Sequence, residues 1–157
     1  MKIFMIALIC FAFIGNSCNN SDKKGTNEEK STTESSKADS LMEQVMNGHN
    51  EGMSGESKLK RMEATIQRMI DSIGKLPAKT RKALGSLSTK LDTALSNVRS
   101  ARSGMDKWME EFNMDSAKND MGVRIQYLTS EKDKIEKVKT SIVNGLQKAD
   151  SLIKARF

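Results

Sequence analysis

Apolar residues divide the chain into three parts. An unbroken apolar run covers residues 3–14, and residues 19–40 contain a single apolar residue, Ala38. From Leu41 onward, apolar residues recur at steps of three and four, the spacing that places them on one face of a helix. The predicted parts are a signal peptide over 1–17, a tether over 18–40 and a folded body over 41–157.

The folded body has the pattern of three helices. The second predicted helix has the most regular stripe, which consists of Leu84, Leu87, Leu91, Ala94, Val98, Ala101, Met105, Trp108 and Phe112. Gly74 and Pro77 mark one boundary between helices, and Asn113–Ser116 mark the next. Short connections make neighbouring helices antiparallel. The pattern predicts an all-α fold, an elongated three-helix bundle or coiled coil with helices at about 41–74, 78–112 and 116–155.

The first predicted helix contains a fault in its spacing. A stripe at Met42, Met46, His49 and Met53 does not continue in step to Leu59, and Gly52 and Gly55 lie on either side of Met53. Glycine in a helix interior costs about 1 kcal/mol relative to alanine. We therefore expect this helix to be kinked or broken near Gly52–Gly55.

The N-terminal run is typical of an export signal. It follows Lys2, it is shorter than the roughly 20 residues that span a bilayer, and it ends in small residues before Cys18. Acylation of Cys18, with palmitate among the acyl chains, would make the chain a lipoprotein. Gly15 stands where lipoprotein signals usually have leucine, so ordinary signal cleavage at the same bond is the alternative. The predicted location is the bacterial cell envelope, and Asn19, in place of aspartate, favours the outer membrane over the inner.

Cysteine content supports lipidation. The two cysteines are Cys10, inside the predicted signal, and Cys18. After cleavage the chain would keep one thiol and no disulfide, and acylation would remove that thiol from an oxidising compartment. The polar composition of 18–40 cannot bury enough surface to offset its ordering entropy, so we expect a disordered tether there.

One end of the predicted bundle is rich in methionine. Thioether and imidazole groups suit Cu(I), and the candidate ligands are Met42, Met46, His49, Met53 and Met105. The competing interpretation is packing, because methionine fills irregular cores. No pattern typical of a catalytic site accompanies His49, and Glu131 is interpreted as a polar residue that sets helix register. We therefore predict no enzyme activity and no cofactor other than a covalent lipid on Cys18.

The second predicted helix is basic, and the whole chain has a formal net charge of +6. Its basic face consists of Lys79, Arg81, Lys82, Lys90, Arg99 and Arg102. A solvated helix face and a binding surface for anionic lipid or polymer are the two interpretations. The predicted compartment and the lack of interleaved aromatic residues argue against nucleic acid.

Two segments resemble a family of small bacterial lipoproteins. The stretch from Glu43 to Met53 is similar to a repeated His-Asp-Glu-Val-Met-like element, and residues 105–112 are similar to a Met-x-x-Trp-Met-x-x-Phe segment. The similarity continues through Tyr127–Leu128 and 134–139 and covers most of 41–155. Members often carry the label "viral A-type inclusion protein", which implies no activity that could be carried over. Met42 replaces a histidine of the family pattern, which weakens a metal site built on paired histidines.

The sequence therefore favours a membrane-anchored, non-catalytic helical module that binds a protein partner of unknown identity. An envelope metal carrier of the Cu(I) type is the alternative. A binder of anionic envelope polymer, acting through the basic second helix, is a weaker one.

Overall fold

A computed structural model describes residues 25–155, with side chains from Lys30 onward. The predicted signal peptide and Cys18 lie outside the described residues. The helices are α1 (Gly25–Gly74), α2 (Ala78–Ala83), α3 (Gly85–Glu111) and α4 (Met121–Lys154). No strand occurs between residues 25 and 155, so the predicted all-α class is confirmed.

Helices α1, α3 and α4 form an up-down-up bundle. Along α1, Glu63 and then Glu56 meet Arg99 and then Arg102 of α3, so these two helices are antiparallel. Contacts between α1 and α4 instead advance together: Gly48 lies beside Ile135, and Leu59 lies beside Gly145. Helices α1 and α4 are therefore parallel, and α3 runs between them in the opposite direction.

The predicted stripes form the core. Burial removes apolar side chains from water, the main favourable contribution to folding. The largest fully buried side chains are Leu59, Ile66, Leu91, Met105, Leu128, Ile135, Ile142, Val45 and Val98. A smaller cluster at the α4 N-terminus joins Ala38 and Leu41 of α1 to Leu128.

The prediction of a disordered tether is wrong for residues 25–40, which are helical. Ala38 and Leu41 are buried against Leu128, and this packing holds the first helix in place upstream of its predicted start. Once a helix is nucleated, each further residue adds a hydrogen bond at little cost. The Lys30–Glu34 pair, 3.8 Å apart at a spacing of four residues, is compatible with this extension.

A kink or a break was predicted near Gly52–Gly55; a break does not occur, since α1 continues through both glycines. Both are buried where other helices approach closely. A methyl group at Gly52 would overlap the terminal methyl of Met105, and one at Gly55 would lie 2.7 Å from Ile142 Cγ2. The glycines thus permit close helix packing, which explains their place in the helix interior.

Two other helix boundaries differ from the predicted ones. The predicted second helix is divided at Leu84 into α2 and α3, where the Leu84 N–H donates to the carbonyls of both Thr80 and Arg81. The third helix begins at Met121 rather than near residue 116. Asp120 caps it by accepting a hydrogen bond from the Val123 N–H at 3.0 Å.

The connection between α3 and α4 is held by side chains of α4. The Tyr127 hydroxyl accepts a hydrogen bond from the Asn113 N–H at 2.7 Å, and Arg124 donates to the carbonyls of Met114 and Ser116. Ala117, with φ of 55°, takes the left-handed turn conformation. These bonds satisfy backbone groups that the sequence pattern assigned to a helix start.

Among the described helices, none combines the length and apolar character needed to cross a membrane.

Candidate functional site

The methionine-rich end contains a row of aromatic side chains. The ring centroids of His49 and Trp108 are 5.6 Å apart, those of Trp108 and Phe112 are 4.7 Å apart, and those of Phe112 and Tyr127 are 6.2 Å apart. The row joins α1, the end of α3 and the start of α4. His49 is half-buried, and its Nδ1 lies 3.2 Å from the Asn50 side-chain oxygen. These contacts place His49 in a packing role beside Trp108.

Glu131 is buried within this end of the bundle, with 2% of its surface exposed. Its Oε2 accepts a hydrogen bond from the Trp108 indole N–H at 3.0 Å, and its Oε1 lies 2.8 Å from the Lys134 ammonium. The hydrogen bond to Glu131 raises the pKa of Lys134. The carboxylate is therefore fully satisfied and fixes α4 against α3. The sequence pattern placed Glu131 on the apolar stripe of its helix. It could not show that Trp108 of α3 is the hydrogen-bond partner of this carboxylate.

The five candidate metal ligands do not converge. Met42 packs in the smaller core cluster, whereas Met53 and Met105 pack against the main core. Met42 and Met53 lie on the same helix, 11 residues apart in sequence, and are separated by about 16 Å along its axis. One ion cannot bind both. Met46 and His49 lie one turn apart on α1 and are the two candidates that one ion could contact together. Within the described residues, no group of three or more His, Cys, Asp or Glu side chains could hold a metal ion.

The predicted basic face is divided between two environments. Arg102 is half-buried and binds two carboxylates of α1, Glu63 at 2.6 Å and Glu56 at 3.4 Å. Arg99 contacts Glu63 at 2.9 Å and donates to the Gln67 side-chain oxygen at 3.2 Å. Both arginines thus belong to the α1–α3 interface. Arg99 is 55% exposed, but both guanidinium groups are paired with Glu63 and are therefore not free cations.

This interface affects the titration of Glu63. Hydrogen bonds from Arg99 and then Arg102 lower the pKa of the Glu63 carboxyl below its ordinary value of 4.5. A lowered folded pKa means that the associated stability is present above the unfolded pKa and is lost as the pH falls through the folded value. The network should therefore weaken under acid conditions.

We expect Glu63→Gln to reduce the amount by which the free energy of unfolding falls as the pH is lowered. The wild type should be more stable by about 1 kcal/mol at pH 7, and the difference should disappear well below pH 4.5. Urea unfolding at several pH values measures it. Glu43→Gln changes an exposed α1 carboxylate that forms no ion pair or side-chain hydrogen bond with the described residues, and it is the matched control. Equal pH dependence in the wild type and Glu63→Gln would refute the contribution of the network.

The other four basic residues are exposed. Lys79, Arg81 and Lys82 lie on α2, at the end of the bundle opposite the aromatic row, and Arg81 donates to the Gly74 carbonyl at 3.1 Å. Lys90 lies on the first turns of α3 and lines a groove between α3 and α4. The sequence pattern could not show this groove, because the groove depends on how two helices pair.

The groove between α3 and α4 has three adjoining sections. The largest, of about 510 Å³, is lined by Ser86, Thr89, Lys90, Thr93, Ala94, Asn97, Lys148 and Leu152. The next section shares Asn97 and Lys148 with it and continues to Ser100 and Ser141. The third shares Lys90 and Leu152 and continues to Ala83 and Ala155. Together they form a shallow channel along the α2 end of the bundle, which we call the α3–α4 groove.

Comparison of the chain with protein-family models, with curated proteins and with solved structures found no match. The α3–α4 groove and the aromatic row therefore have to be interpreted from their own geometry.

Proposed function

We propose that this chain is a lipid-anchored protein of the bacterial cell envelope, where it acts as a non-catalytic helical module that binds a partner. Cys18 would carry the lipid, and the partner would be a protein. The observation that carries the proposal is the length and continuity of α1, which extends without interruption from Gly25 to Gly74.

The geometry of α1 suits display at a distance from a membrane. Its 50 residues extend about 75 Å at 1.5 Å per residue. Cys18 precedes Gly25 by seven positions in the sequence, so a lipid there would attach the bundle near its aromatic end. The α2 end and the α3–α4 groove would then lie far from the bilayer. A rod attached at one end is suited to presenting a binding surface at the other.

The described residues favour binding over catalysis as a role. The ionisable group that is most deeply buried, Glu131, is held by Trp108 and Lys134 in a helix-to-helix contact. Each oxygen of this carboxylate already accepts a hydrogen bond from a side chain of the bundle, which is an arrangement suited to a structural contact. The grooves, by contrast, are open and shallow and lie on helix surfaces, as is typical of surfaces that bind other macromolecules.

Metabolic labelling with an alkyne-bearing fatty acid tests the anchor. The wild-type chain should incorporate the label, and Cys18→Ser should lose it completely, because the thiol is the acceptor. Cys10→Ser removes the other cysteine and should label normally. Labelling of Cys18→Ser, or none of the wild type, would refute the lipid-anchored part of the proposal.

A further inference from the structure

The α3–α4 groove is long enough to bind one helix. Along α4 it extends from Ser141 to Ala155, which corresponds to about 21 Å or a helix of about 14 residues. It lies on the side of α3 and α4 that α1 does not cover. A helix placed there would complete a four-helix arrangement over this half of the bundle.

The groove has an apolar floor in two of its three sections, whereas the section lined by Asn97, Ser100, Ser141 and Asn144 is polar. Its apolar lining residues are Ala83, Leu84, Leu87, Ala94, Leu152 and Ala155. The hydroxyls of Thr89 and Thr93 donate to the carbonyls of Gly85 and Thr89, at 3.1 and 2.9 Å, and are therefore already satisfied. Small residues such as Ala94 and Ser86 allow another backbone to approach closely. The apolar stripe of an amphipathic helix fits this floor.

All charged residues that line the groove are positive. Lys90 lies on its α3 side and Lys148 on its α4 side, and no acidic residue lines any of the three sections. Neither lysine forms an ion pair with another residue of the described chain. Two free cations on opposite sides of an apolar floor are complementary to an occupant with carboxylates on both flanks of an apolar stripe.

The other candidate occupants fit less well. A second copy related by two-fold symmetry would place the same patch against itself, bringing four lysines together without a carboxylate. If the signal is cleaved before Cys18, as proposed above, the residues left ahead of α1 are 18–24, which reach at most about 25 Å. Ile142 lies level with Gly55, which is about 45 Å along α1 from Gly25. A polysaccharide would lack aromatic side chains to stack on, since none lines the groove.

We propose that the α3–α4 groove binds an acidic amphipathic helix of a partner protein. This inference rests on the proposed role as a binding module, and it names the chemistry of the partner. The apolar stripe of that helix lies on Ala94 and Leu152, and its flanking carboxylates pair with Lys90 and Lys148.

Site-specific photocrosslinking in the cell of origin tests the proposal. A benzophenone amino acid at Thr93, inside the groove, should capture a partner whose crosslinked segment, mapped by mass spectrometry, has acidic residues on both sides of an apolar stripe. The same group at Thr140, exposed on α4 outside the groove, should not capture that segment. The double variant Lys90→Glu/Lys148→Glu should reduce capture at Thr93 about tenfold or more.

Lys58→Glu/Lys60→Glu makes the same change in net charge on the exposed surface of α1, and it should leave capture unchanged. Circular dichroism verifies that both double variants are folded. Capture of a second copy, of a lipid or polysaccharide, or of a segment without acidic residues would overturn the proposal, as would no capture from Thr93. Fatty-acid labelling is read separately, so loss of the anchor and loss of groove binding are distinguishable.

Discussion

Replacing Glu131 by alanine is expected to lower the free energy of unfolding by about 2–4 kcal/mol. The buried carboxylate accepts the Trp108 indole N–H at 3.0 Å, and alanine would leave that buried donor without its partner. It would also leave a cavity where the side chain packed. Urea unfolding followed by the fluorescence of Trp108, the one tryptophan of the chain, measures the change.

Glu131→Gln is the matched control for this prediction. Glutamine keeps the volume and an acceptor oxygen for Trp108, but its amide NH2 replaces the oxygen that accepts from Lys134. Because the Lys134 side chain is 52% exposed and can turn to solvent, the loss should be smaller than that caused by alanine, about 1–2 kcal/mol. Equal destabilisation by alanine and glutamine would show that the charge, and not the hydrogen bond to Trp108, stabilises this end of the bundle.

Replacing Gly55 by alanine is expected to destabilise the protein by about 1–3 kcal/mol, although alanine is the better helix former. The added methyl would lie 2.7 Å from Ile142 Cγ2 and 3.3 Å from Leu146 Cδ1. Ile142 is buried and branched at Cβ, so it cannot move aside without shifting α4. Thermal and urea unfolding monitored by circular dichroism measure the effect.

Gly104→Ala, on α3, is the control and is expected to increase the stability of the protein. No other side chain or helix lies within 4 Å of a methyl group placed at Gly104. Alanine there should therefore stabilise α3 by up to about 1 kcal/mol, through helix propensity alone. If Gly55→Ala were stabilising as well, close approach of α4 would not be the reason for a glycine at this position.

Much of the fold was predictable because its apolar stripes are regular. The stripe from Leu84 to Phe112 identified α3 and most of its buried residues, and short connections gave the up-down-up order. The same reasoning failed at Gly52 and Gly55. Sequence alone reports the helix propensity of glycine, whereas the space it leaves for Met105 and Ile142 depends on the distance between helices.

The start of α1 was missed for a related reason. Residues 25–40 have the composition of a disordered segment, and only Ala38 in them is apolar. That residue packs against Leu128, 90 positions away in the sequence. A local pattern cannot show such a contact, because the partner lies on another helix.

The candidate sites were less predictable than the fold. Charge counts grouped Arg99 and Arg102 with Lys90, but the two arginines face Glu63 of α1 while Lys90 faces the groove. The methionines share one end of the bundle, yet their positions along α1 separate them into different clusters. The rotation of each helix about its own axis determines which residues share a surface. The spacing of residues in the sequence does not give that rotation.

Fluorescence energy transfer to the bilayer tests most directly whether the chain is a rod anchored at one end. A dye is attached to a cysteine introduced at Ser31 or at Asp71, both exposed on α1, in the full lipidated chain reconstituted into vesicles that contain an acceptor lipid. The two positions are 40 residues apart, or about 60 Å along α1. For a rod anchored at its N-terminal end, we expect strong transfer from position 31 and weak transfer from position 71. Equal transfer from both would mean that the bundle lies along the membrane, and it would contradict display of the α3–α4 groove at a distance from the bilayer.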